Sequence, residues 1–297
     1  MLYSNVVIQN DLVCFKELDQ GEVYRVIMDC ANKTCTLDCL PTWLLKDTID
    51  VVLPVITDIV NTSLTTGVFP QAMKQAIVTP ILKKINSDWN DSKNYRPVSN
   101  IGFIGKIIEK AAIVQVNEHM QANDLDDLFQ SAYKNKHSTE TALLMVKNDI
   151  EQALDDNNAV FLVMLDLSAA FDTIDHNILM QRLEHGFGIK GTALSWFHSY
   201  ITGRHFRISV GGNMSEEFIL ECGVPQGSVI GPRIFTMYSQ YVSSIIHRHG
   251  LNYHIYANDV QIYMSLDPNF NTLLCSRLMS ALLRYVINTP TKITRTK

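Results

Sequence analysis

The chain has 297 residues, 46% of them hydrophobic and 19% charged, with a formal net charge of −5. This composition is typical of a globular protein of one or two domains, and the negative charge argues against a simple cationic nucleic-acid binder. No apolar run reaches the ~18–20 residues that span a bilayer, and the N-terminus lacks a basic region followed by a small-residue cleavage site. We therefore expect an intracellular protein without a membrane span.

Charge and cysteines are unevenly distributed along the chain. Residues 1–65 carry 4 Lys and Arg against 9 Asp and Glu, whereas residues 66–150 carry 10 against 9. A phosphate-facing surface should come from this middle segment, although a solvated charged face explains the same pattern. Cysteines cluster at positions 30, 35 and 39 without C-x2-C spacing or a nearby His pair, which favours reduced, mostly buried thiols over a zinc site.

Helical patterns dominate the first half of the chain. Apolar side chains recur at helical intervals in three segments: 44–65, 104–120 and 139–155. Pro54 should kink or split the first of these helices, and Ser138 is a suitable N-cap for the last. Between them, residues 72–82 predict a short helix turning into a strand, and the polar residues 85–99 predict a loop.

In the second half of the chain, strand-like patterns of apolar residues appear among the helical ones. Residues 159–165, AVFLVML, are an apolar run of strand length, which predicts a strand buried on both faces and ending at Asp166. Helical spacing recurs at 177–187, 192–202 and 229–247. Strand-like alternation occurs at 205–210, at 217–221 and, around a tight turn at Ala257–Asn258, in 253–264. This order predicts an α+β fold, with helices on one face of an antiparallel sheet.

Two aspartates stand at predicted strand ends. Asp166 closes one strand, and Asp259 lies 93 positions later at the tip of the hairpin YHIYANDVQIYM. A sheet can bring distant strand ends together, and two carboxylates at its edge form the oxygen-rich site that Mg²⁺ prefers when it also binds phosphates. Structural aspartates in turns are common, so this pattern alone leaves both interpretations open.

Motifs around these aspartates resemble those of a known family. Three of them occur in order: LVMLDLSAAFDTIDH (162–176), GVPQGSVIGP (223–232) and YAND (256–259). They resemble motifs A, B and C of reverse transcriptases, most closely those of LINE-type non-LTR retrotransposons of the jockey-like and chicken-repeat-like branch. Five further stretches fit the same family: LPTWLLKDTIDVVLP (40–54), NTSLTTGVFP (61–70), NYRPVSNIGFIGKIIEK (94–110), QSAYKNKHSTETALL (130–144) and LSWFHSYITGR (194–204). The resemblance covers roughly residues 35–266.

The resemblance implies a fold, an activity and a set of partners. The fold is that of reverse-transcriptase fingers and palm, and the activity is RNA-directed DNA polymerisation by two-metal nucleotidyl transfer. Two Mg²⁺ ions, or Mn²⁺ in their place, would serve as cofactors. The partners would be an RNA template, a DNA primer and deoxynucleoside triphosphates.

The resemblance also implies roles for individual residues of motifs A and C. Asp166 corresponds to the first metal-binding aspartate, with the carbonyl of Leu167 nearby, and Asp259 corresponds to a metal-binding aspartate of motif C. Phe171 corresponds to the aromatic gate that excludes a ribose 2′-hydroxyl and so selects deoxynucleotides. Plain core packing would explain Phe171 equally well.

Further implied roles lie in motif B and in the fingers. Gln226 and Gly227 correspond to a loop that contacts template and primer, where glycine lets the backbone approach a base pair. The alternative is a turn capped by Ser228 at a helix start. Arg96 and Lys134 correspond to basic residues that meet template or incoming triphosphate, although solvated surface charges are the alternative. Many relatives have Arg in place of Lys134, and Lys lacks the bidentate fork.

Motif C departs from the family pattern at one position. The family has Tyr-x-Asp-Asp, and Asn258 replaces the first of these aspartates. Asparagine offers a neutral oxygen of similar shape, so one negative charge is missing opposite two divalent ions. We expect the hairpin to be preserved and nucleotidyl transfer to be slowed by ~10²–10⁴-fold. A non-catalytic nucleic-acid-binding remnant and a translated pseudogene product are the alternatives.

The expected organisation has four parts. These are an N-terminal helical extension at 1–70, a fingers-like region at 71–158, a palm at 159–268 and a divergent C-terminal tail at 269–297. The tail contains no recognisable Leu-Asn-x-x-Lys motif or thumb, which indicates a truncated copy. The sequence leaves open the oligomeric state and the choice between nucleus and cytoplasm.

Overall fold

The computed structural model describes residues 8–33, 35–167, 170–266 and position 280, arranged in two compact units. Of the described residues, those up to Leu125 and within Ile174–Gly231 form the first unit, and those within Asp126–Thr173 and from Pro232 onward form the second. The tail predicted at 269–297 lies outside the described residues apart from position 280. The four-part division expected from the sequence stays a prediction.

Helices and strands are interspersed along the chain. The helices are α1 (Gln20–Met28), α2 (Thr42–Asp47), α3 (Ile49–Thr66), α4 (Phe103–Ala122), α5 (Thr139–Asp155), α6 (His176–Phe187), α7 (Gly191–Ile201) and α8 (Gly231–Arg248). The strands are β1 (Gln75–Leu82), β2 (Tyr95–Ile101), β3 (Ala159–Asp166), β4 (His205–Val210), β5 (Asn213–Met214), β6 (Phe218–Ile219), β7 (Asn252–Tyr256) and β8 (Asp259–Leu266). Short 3₁₀ helices span Gln71–Met73 and Ser92–Asn94.

Helix α3 is central to the first unit. It packs against α1, α4 and α7 and buries Ile56, Val60 and Leu64. Within the described part of the chain, α3 is long and apolar enough to cross a membrane by length and composition alone, with a mean hydropathy of 1.2. One third of the helix is buried, on the side that carries Ile56, Val60 and Leu64, which is the pattern of an amphipathic helix packed against other helices.

The predicted helix at 44–65 breaks at a different residue from the one expected. The chain leaves helical geometry at Thr48, which separates α2 from α3, whereas Pro54 lies inside α3. Of the two effects expected of Pro54, the split is therefore wrong, and the kink stays a prediction. Pro54 lies five residues after the first residue of α3. Its missing N–H therefore removes a single helical hydrogen bond, to the carbonyl of Asp50, close to the N-terminus of the helix.

The sheet of the first unit joins strands from distant parts of the chain. Its order is β2-β1-β4-β5, and β6 also pairs with β4. Strand β1 is antiparallel to β2 and parallel to β4, where Gln75 faces His205. The loop predicted at 85–99 is wrong at its C-terminal end, because Tyr95 already pairs with Leu82 in the ladder of β1 and β2.

The second unit contains a three-stranded antiparallel sheet with the order β3-β8-β7. Helix α5 packs against β3 and β7 and begins at a capping box on Ser138, as predicted. The prediction that β3 is buried on both faces is wrong: Phe161 is 45% exposed and Met164 is 74% exposed. Successive side chains of a strand point to opposite faces, so the exposure of Phe161 and Met164 shows that neither face of β3 is fully covered by other described residues.

The thiols also differ from expectation. The five cysteines in the described part of the chain form no disulfide, but Cys14, Cys39 and Cys222 are exposed rather than buried. All three lie in bends between regular elements, where neighbouring side chains do not enclose them.

Candidate active site

The two aspartates singled out by the sequence meet in the sheet of the second unit. Strand β3 ends at Asp166, strand β8 begins at Asp259, and these two residues are direct partners in the antiparallel register. Directly opposed side chains of such a pair lie on the same face, with Cβ atoms about 4.5–5.5 Å apart. Both residues are exposed. The fold thus brings together two carboxylates that are far apart in sequence and leaves them accessible.

The turn between β7 and β8 consists of Ala257 and Asn258. The Nδ2 of Asn258 donates a hydrogen bond of 2.7 Å to Oδ1 of Asp166, and its carbonyl accepts one of 2.9 Å from the N–H of Leu167. Asn258 is therefore tied to the end of β3 through both its side chain and its backbone. An aspartate there would add a third carboxylate to this tip and place it against Asp166 in the position of a donor.

The charges at this tip repel one another. Partial burial, and secondarily the neighbouring charge of Asp166, raise the pKa of Asp259 above its ordinary value of 3.8. A cation held by both carboxylates would relieve this repulsion. Mg²⁺ in proteins is held by one or two carboxylates together with substrate phosphates, so the residues present fit a divalent cation. Within the described ranges no group of three or more His, Cys, Asp or Glu residues could hold a metal.

Phe171 lies in the same unit and is half-buried. Its ring centroid is 5.3 Å from that of Phe235 on α8, with the two ring planes inclined by 31°. The packing contact that the sequence left as an alternative is therefore present. The role of Phe171 as a gate against the 2′-hydroxyl stays a prediction.

The two basic residues expected to meet phosphates lie in different units. In the first unit, Arg96 is exposed on β2, opposite Ile81 of β1. In the second unit, Lys134 is half-buried, and its Nζ donates a hydrogen bond of 2.5 Å to the carbonyl of Asp127. Lys134 thus has a local structural bond in addition to any contact with a substrate, and both assigned roles stay predictions.

The loop of motif B packs closely on β2 within the first unit. The N–H of Ser99 donates to the carbonyl of Gln226 at 2.7 Å. Gly227 has a φ of +116°, and a Cβ at this position would lie 2.7 Å from the carbonyl oxygen of Ser99. Glycine is required here by the approach to Ser99, while contact of Gln226 and Gly227 with template stays a prediction. The hydroxyl of Ser228 accepts a bond from the N–H of Gly231, which confirms the cap at the start of α8.

A buried carboxylate that sequence analysis did not single out holds the other end of this loop. Glu109 of α4 is fully buried, and its Oε2 accepts bonds from the N–H groups of Val229 at 2.6 Å and Ile230 at 3.3 Å. Its Oε1 accepts the hydroxyl of Tyr200 at 3.0 Å. Burial raises the pKa of Glu109, while the positive charge of Arg204 and these hydrogen bonds oppose that rise.

The sequence did contain a signal for Glu109. It stands between Gly105 and Ala112 on the apolar side of α4, and both of these neighbours are buried. A charged residue on such a face needs a partner, because an unpaired buried charge is strongly unfavourable. Arg204 provides the balancing charge: it is 1% exposed, and its guanidinium lies 4.2 Å from the ring centroid of Tyr200.

Comparison with known proteins identifies the class to which this fold and site belong. An antiparallel sheet whose strands end in facing aspartates is the arrangement that the sequence resemblance predicts for a polymerase palm. The family described as reverse transcriptase (RNA-dependent DNA polymerase) matches residues 81–297, so the chain belongs to the reverse transcriptase family. Enzymes of this family generally use divalent metal ions, in agreement with the donor set at Asp166 and Asp259.

The individual relatives are polymerases of mobile elements. The chain is 27% identical over 181 residues to a probable RNA-directed DNA polymerase from transposon BS of Drosophila melanogaster. It is 28% identical over 181 residues to the RNA-directed DNA polymerase from mobile element jockey of Drosophila funebris. Each match covers 61% of this chain but only 20% and 19% of these relatives, so the chain spans about a fifth of their length.

A solved structure supports the same fold. Apo telomerase from Candida tropicalis, truncated from its C-terminal domain, superposes with a TM-score of 0.52 over 76% of this chain and 49% of that chain. Sequence identity is 14%, so this likeness concerns the fold alone. The α+β fold of reverse-transcriptase fingers and palm that the sequence predicts is confirmed.

Proposed function

We propose that this chain is the catalytic region of a non-LTR retrotransposon RNA-directed DNA polymerase in which Asn258 has lowered the rate of nucleotidyl transfer. The observation that carries the proposal is the direct pairing of Asp166 with Asp259 at the tip of the hairpin, next to Asn258. The substrates would be an RNA template, a DNA primer and deoxynucleoside triphosphates. Such substrates are intracellular, and we infer the same location for the chain.

Each proposed site residue has a defined task. Two Mg²⁺ ions, or Mn²⁺, would when bound activate the primer hydroxyl and stabilise the leaving phosphate oxygens. Asp166, Asp259 and the carbonyl of Leu167 would hold metal, and Phe171 would exclude a ribose 2′-hydroxyl. The remaining proposed residues bind nucleic acid or triphosphate: Gln226, Gly227, Arg96 and Lys134.

Asn258 weakens this arrangement in two ways. It supplies no charge where the family has a carboxylate, and its amide nitrogen already donates to the oxygen of Asp166 that would otherwise face a cation. To offer its oxygen as a ligand, the Asn258 amide would have to rotate and give up that hydrogen bond. A loss of ~3–5 kcal/mol in transition-state stabilisation would slow turnover by ~10²–10⁴-fold.

The same observation favours a second candidate function, a non-catalytic nucleic-acid-binding protein. An Asn258 amide that neutralises part of the carboxylate repulsion stabilises the metal-free tip. Such a chain would retain salt-sensitive RNA binding without incorporating nucleotides.

Primer extension separates the two functions. The parent chain and Asn258→Asp are compared on a primed RNA template with Mg²⁺ and with Mn²⁺, and Asp166→Asn in the Asn258→Asp background serves as the inactive control. We expect Asn258→Asp to extend the primer ~10²–10⁴-fold faster than the parent. Equal, measurable rates would show that Asn258 does not limit the reaction. Absence of extension by both chains, together with salt-sensitive RNA binding, would support the second function.

A further inference from the structure

A loop of the second unit is attached to the outer edge of β7. The N–H of Ile255 donates to the carbonyl of Phe129 at 2.8 Å, and the N–H of Ser131 donates to the carbonyl of Ile255 at 2.9 Å. These bonds form an isolated parallel bridge between Gln130 and Ile255. The loop thus covers an edge of β7 that would otherwise present unpaired backbone groups.

The side chain of Gln130 reaches from this loop to the turn of the hairpin. Its Oε1 accepts the N–H of Ala257 at 3.1 Å and also the N–H of Ala132 at 2.9 Å. Its Nε2 donates to the carbonyl of Ala257 at 3.4 Å. One amide therefore binds both backbone groups of a single turn residue while Gln130 itself is only 6% exposed.

Ala257 is a position that needs such support. Its φ of +55° lies in the left-handed region, which costs a non-glycine residue roughly 1–2 kcal/mol. The hydrogen bonds from Gln130 offset this cost in the native turn and are specific for its backbone geometry. A further hydrogen bond, between the hydroxyl of Ser131 and Nε2 of His254 at 2.9 Å, also holds the loop in place.

The turn in question directly precedes the site. Asn258 and Asp259 are the next two residues, and both face Asp166 through the contacts described above. A change of the backbone at Ala257 rotates the following peptide, and with it the directions of these two side chains. Metal and substrate geometry at such sites tolerates errors of only about 0.5 Å.

We propose that Gln130 is a positioning residue that fixes the left-handed turn at Ala257 and thereby aims Asn258 and Asp259 at Asp166. The effect of Gln130 on catalysis rests on the proposed function, whereas its effect on the conformation of the hairpin does not. The ordinary alternative is that Gln130 contributes only to the general stability of the second unit. The two differ in extent: a positioning role is local to the turn, and a general role affects the whole sheet.

Amide hydrogen exchange measured by NMR on the full chain separates these roles. Gln130→Met keeps the side-chain length and removes all three hydrogen bonds of the amide, Gln130→Glu keeps the acceptor for the Ala257 N–H, and the exposed Gln152→Met is the matched control. In Gln130→Met we expect exchange at Ala257 to accelerate about tenfold or more, with the ladder of β3 and β8 unchanged. Gln130→Glu should restore most of the protection at Ala257, and Gln152→Met should resemble the parent.

Two exchange results would overturn the inference. One is unchanged exchange at Ala257 in Gln130→Met, and the other is an equal loss of protection along β3 and β8. If Gln130→Met fails to fold, Gln130→Asn, whose amide is one methylene too short to reach Ala257, decides the question: exchange should accelerate at Ala257 and stay unchanged along the ladder.

Kinetics in the Asn258→Asp background test the catalytic part. We expect Gln130→Met to lower kcat about tenfold with little change in the KM for nucleotide, because alignment rather than binding is lost. Gln152→Met should leave both constants unchanged. Unchanged kcat in an active background would overturn the inference. An inactive Asn258→Asp chain would overturn the proposed function instead, and exchange at Ala257 would still decide the role of Gln130 in the turn.

Discussion

Carboxylates occur in two contrasting environments in this molecule. In the first unit, Glu109 is fully enclosed and accepts hydrogen bonds from Tyr200, Val229 and Ile230. In the second unit, Asp166 and Asp259 are exposed and face one another as like charges. The oxygens of the buried group hold the backbone of the motif B loop and the hydroxyl of Tyr200, whereas the exposed pair is open to solvent and so can be reached by a cation. Burial and partner charge, rather than residue type, separate a structural carboxylate from a candidate metal ligand.

The turns next to these carboxylates, at Gly227 and at Ala257, also differ from one another. Gly227 lies against the carbonyl of Ser99 and has no Cβ to collide with it. Ala257 does carry a Cβ at positive φ and is held by the amide of Gln130. One turn achieves its unusual backbone through a small residue, and the other through a dedicated hydrogen-bonding partner.

The largest expected effect is at the buried carboxylate. Glu109→Ala leaves the N–H groups of Val229 and Ile230 unpaired and Arg204 without its balancing charge, so we expect a loss of about 3–5 kcal/mol in the free energy of unfolding. Urea denaturation measures this loss. Glu118→Ala on the exposed face of the same helix should change stability by less than about 0.5 kcal/mol. Similar losses for both variants would contradict the role assigned to Glu109.

The second largest effect on stability is expected at the turn of motif B. Gly227→Ala places a Cβ against the carbonyl of Ser99 at an unfavourable φ, and we expect a loss of about 2–4 kcal/mol. Gly212→Ala is the matched control, because Gly212 also has a positive φ but faces open space, and it should cost only about 1 kcal/mol. Thermal or urea denaturation gives both values. Equal losses would show that the contact with Ser99 contributes nothing.

Substitution at the hairpin tip should have a smaller, metal-dependent effect. Without divalent ions, Asn258→Asp replaces a hydrogen bond to Asp166 by repulsion, and we expect a loss of about 0.5–1 kcal/mol at this accessible site. Added Mg²⁺ should raise the Tm of Asn258→Asp more than that of the parent. Asn213→Asp, at an exposed position of β5, controls for added charge. A metal response no larger than that of the parent would argue against a cation at this tip.

The smallest expected effect is on the pH dependence of stability and of metal affinity. Because the pKa of Asp259 is raised above 3.8, this carboxyl takes up a proton at a higher pH in the folded chain than in the unfolded chain. Its contribution to stability without metal therefore falls as pH rises through the window just above 3.8. Mn²⁺ affinity, measured by paramagnetic resonance, should begin to weaken on acidification at a higher pH than for an ordinary aspartate. Asp259→Asn should remove this part of the pH dependence, and an unchanged profile in that variant would contradict the assignment.

Local patterns predicted much of the secondary structure correctly. The capping residue Ser138, the helix at 104–120 and the turn at Ala257–Asn258 all agree with the structure, because caps, helical periodicity and turn residues record short-range preferences. Strand β3 shows what such local patterns do not predict. Its apolar run correctly predicts a strand, but burial depends on which other elements pack on its two faces, and that information is not in the run itself.

By itself the sequence determined the order of the motifs, the positions of Asp166 and Asp259 at strand ends, and the asparagine that departs from the family pattern. Only the tertiary structure decided that Asn258 donates to Asp166, that Glu109 holds the motif B loop, and that Gln130 binds the turn at Ala257. The physical reason is that periodicity and turn chemistry act over a few residues. These hydrogen bonds join groups more than 90 positions apart, which meet only after the sheets and helices have packed.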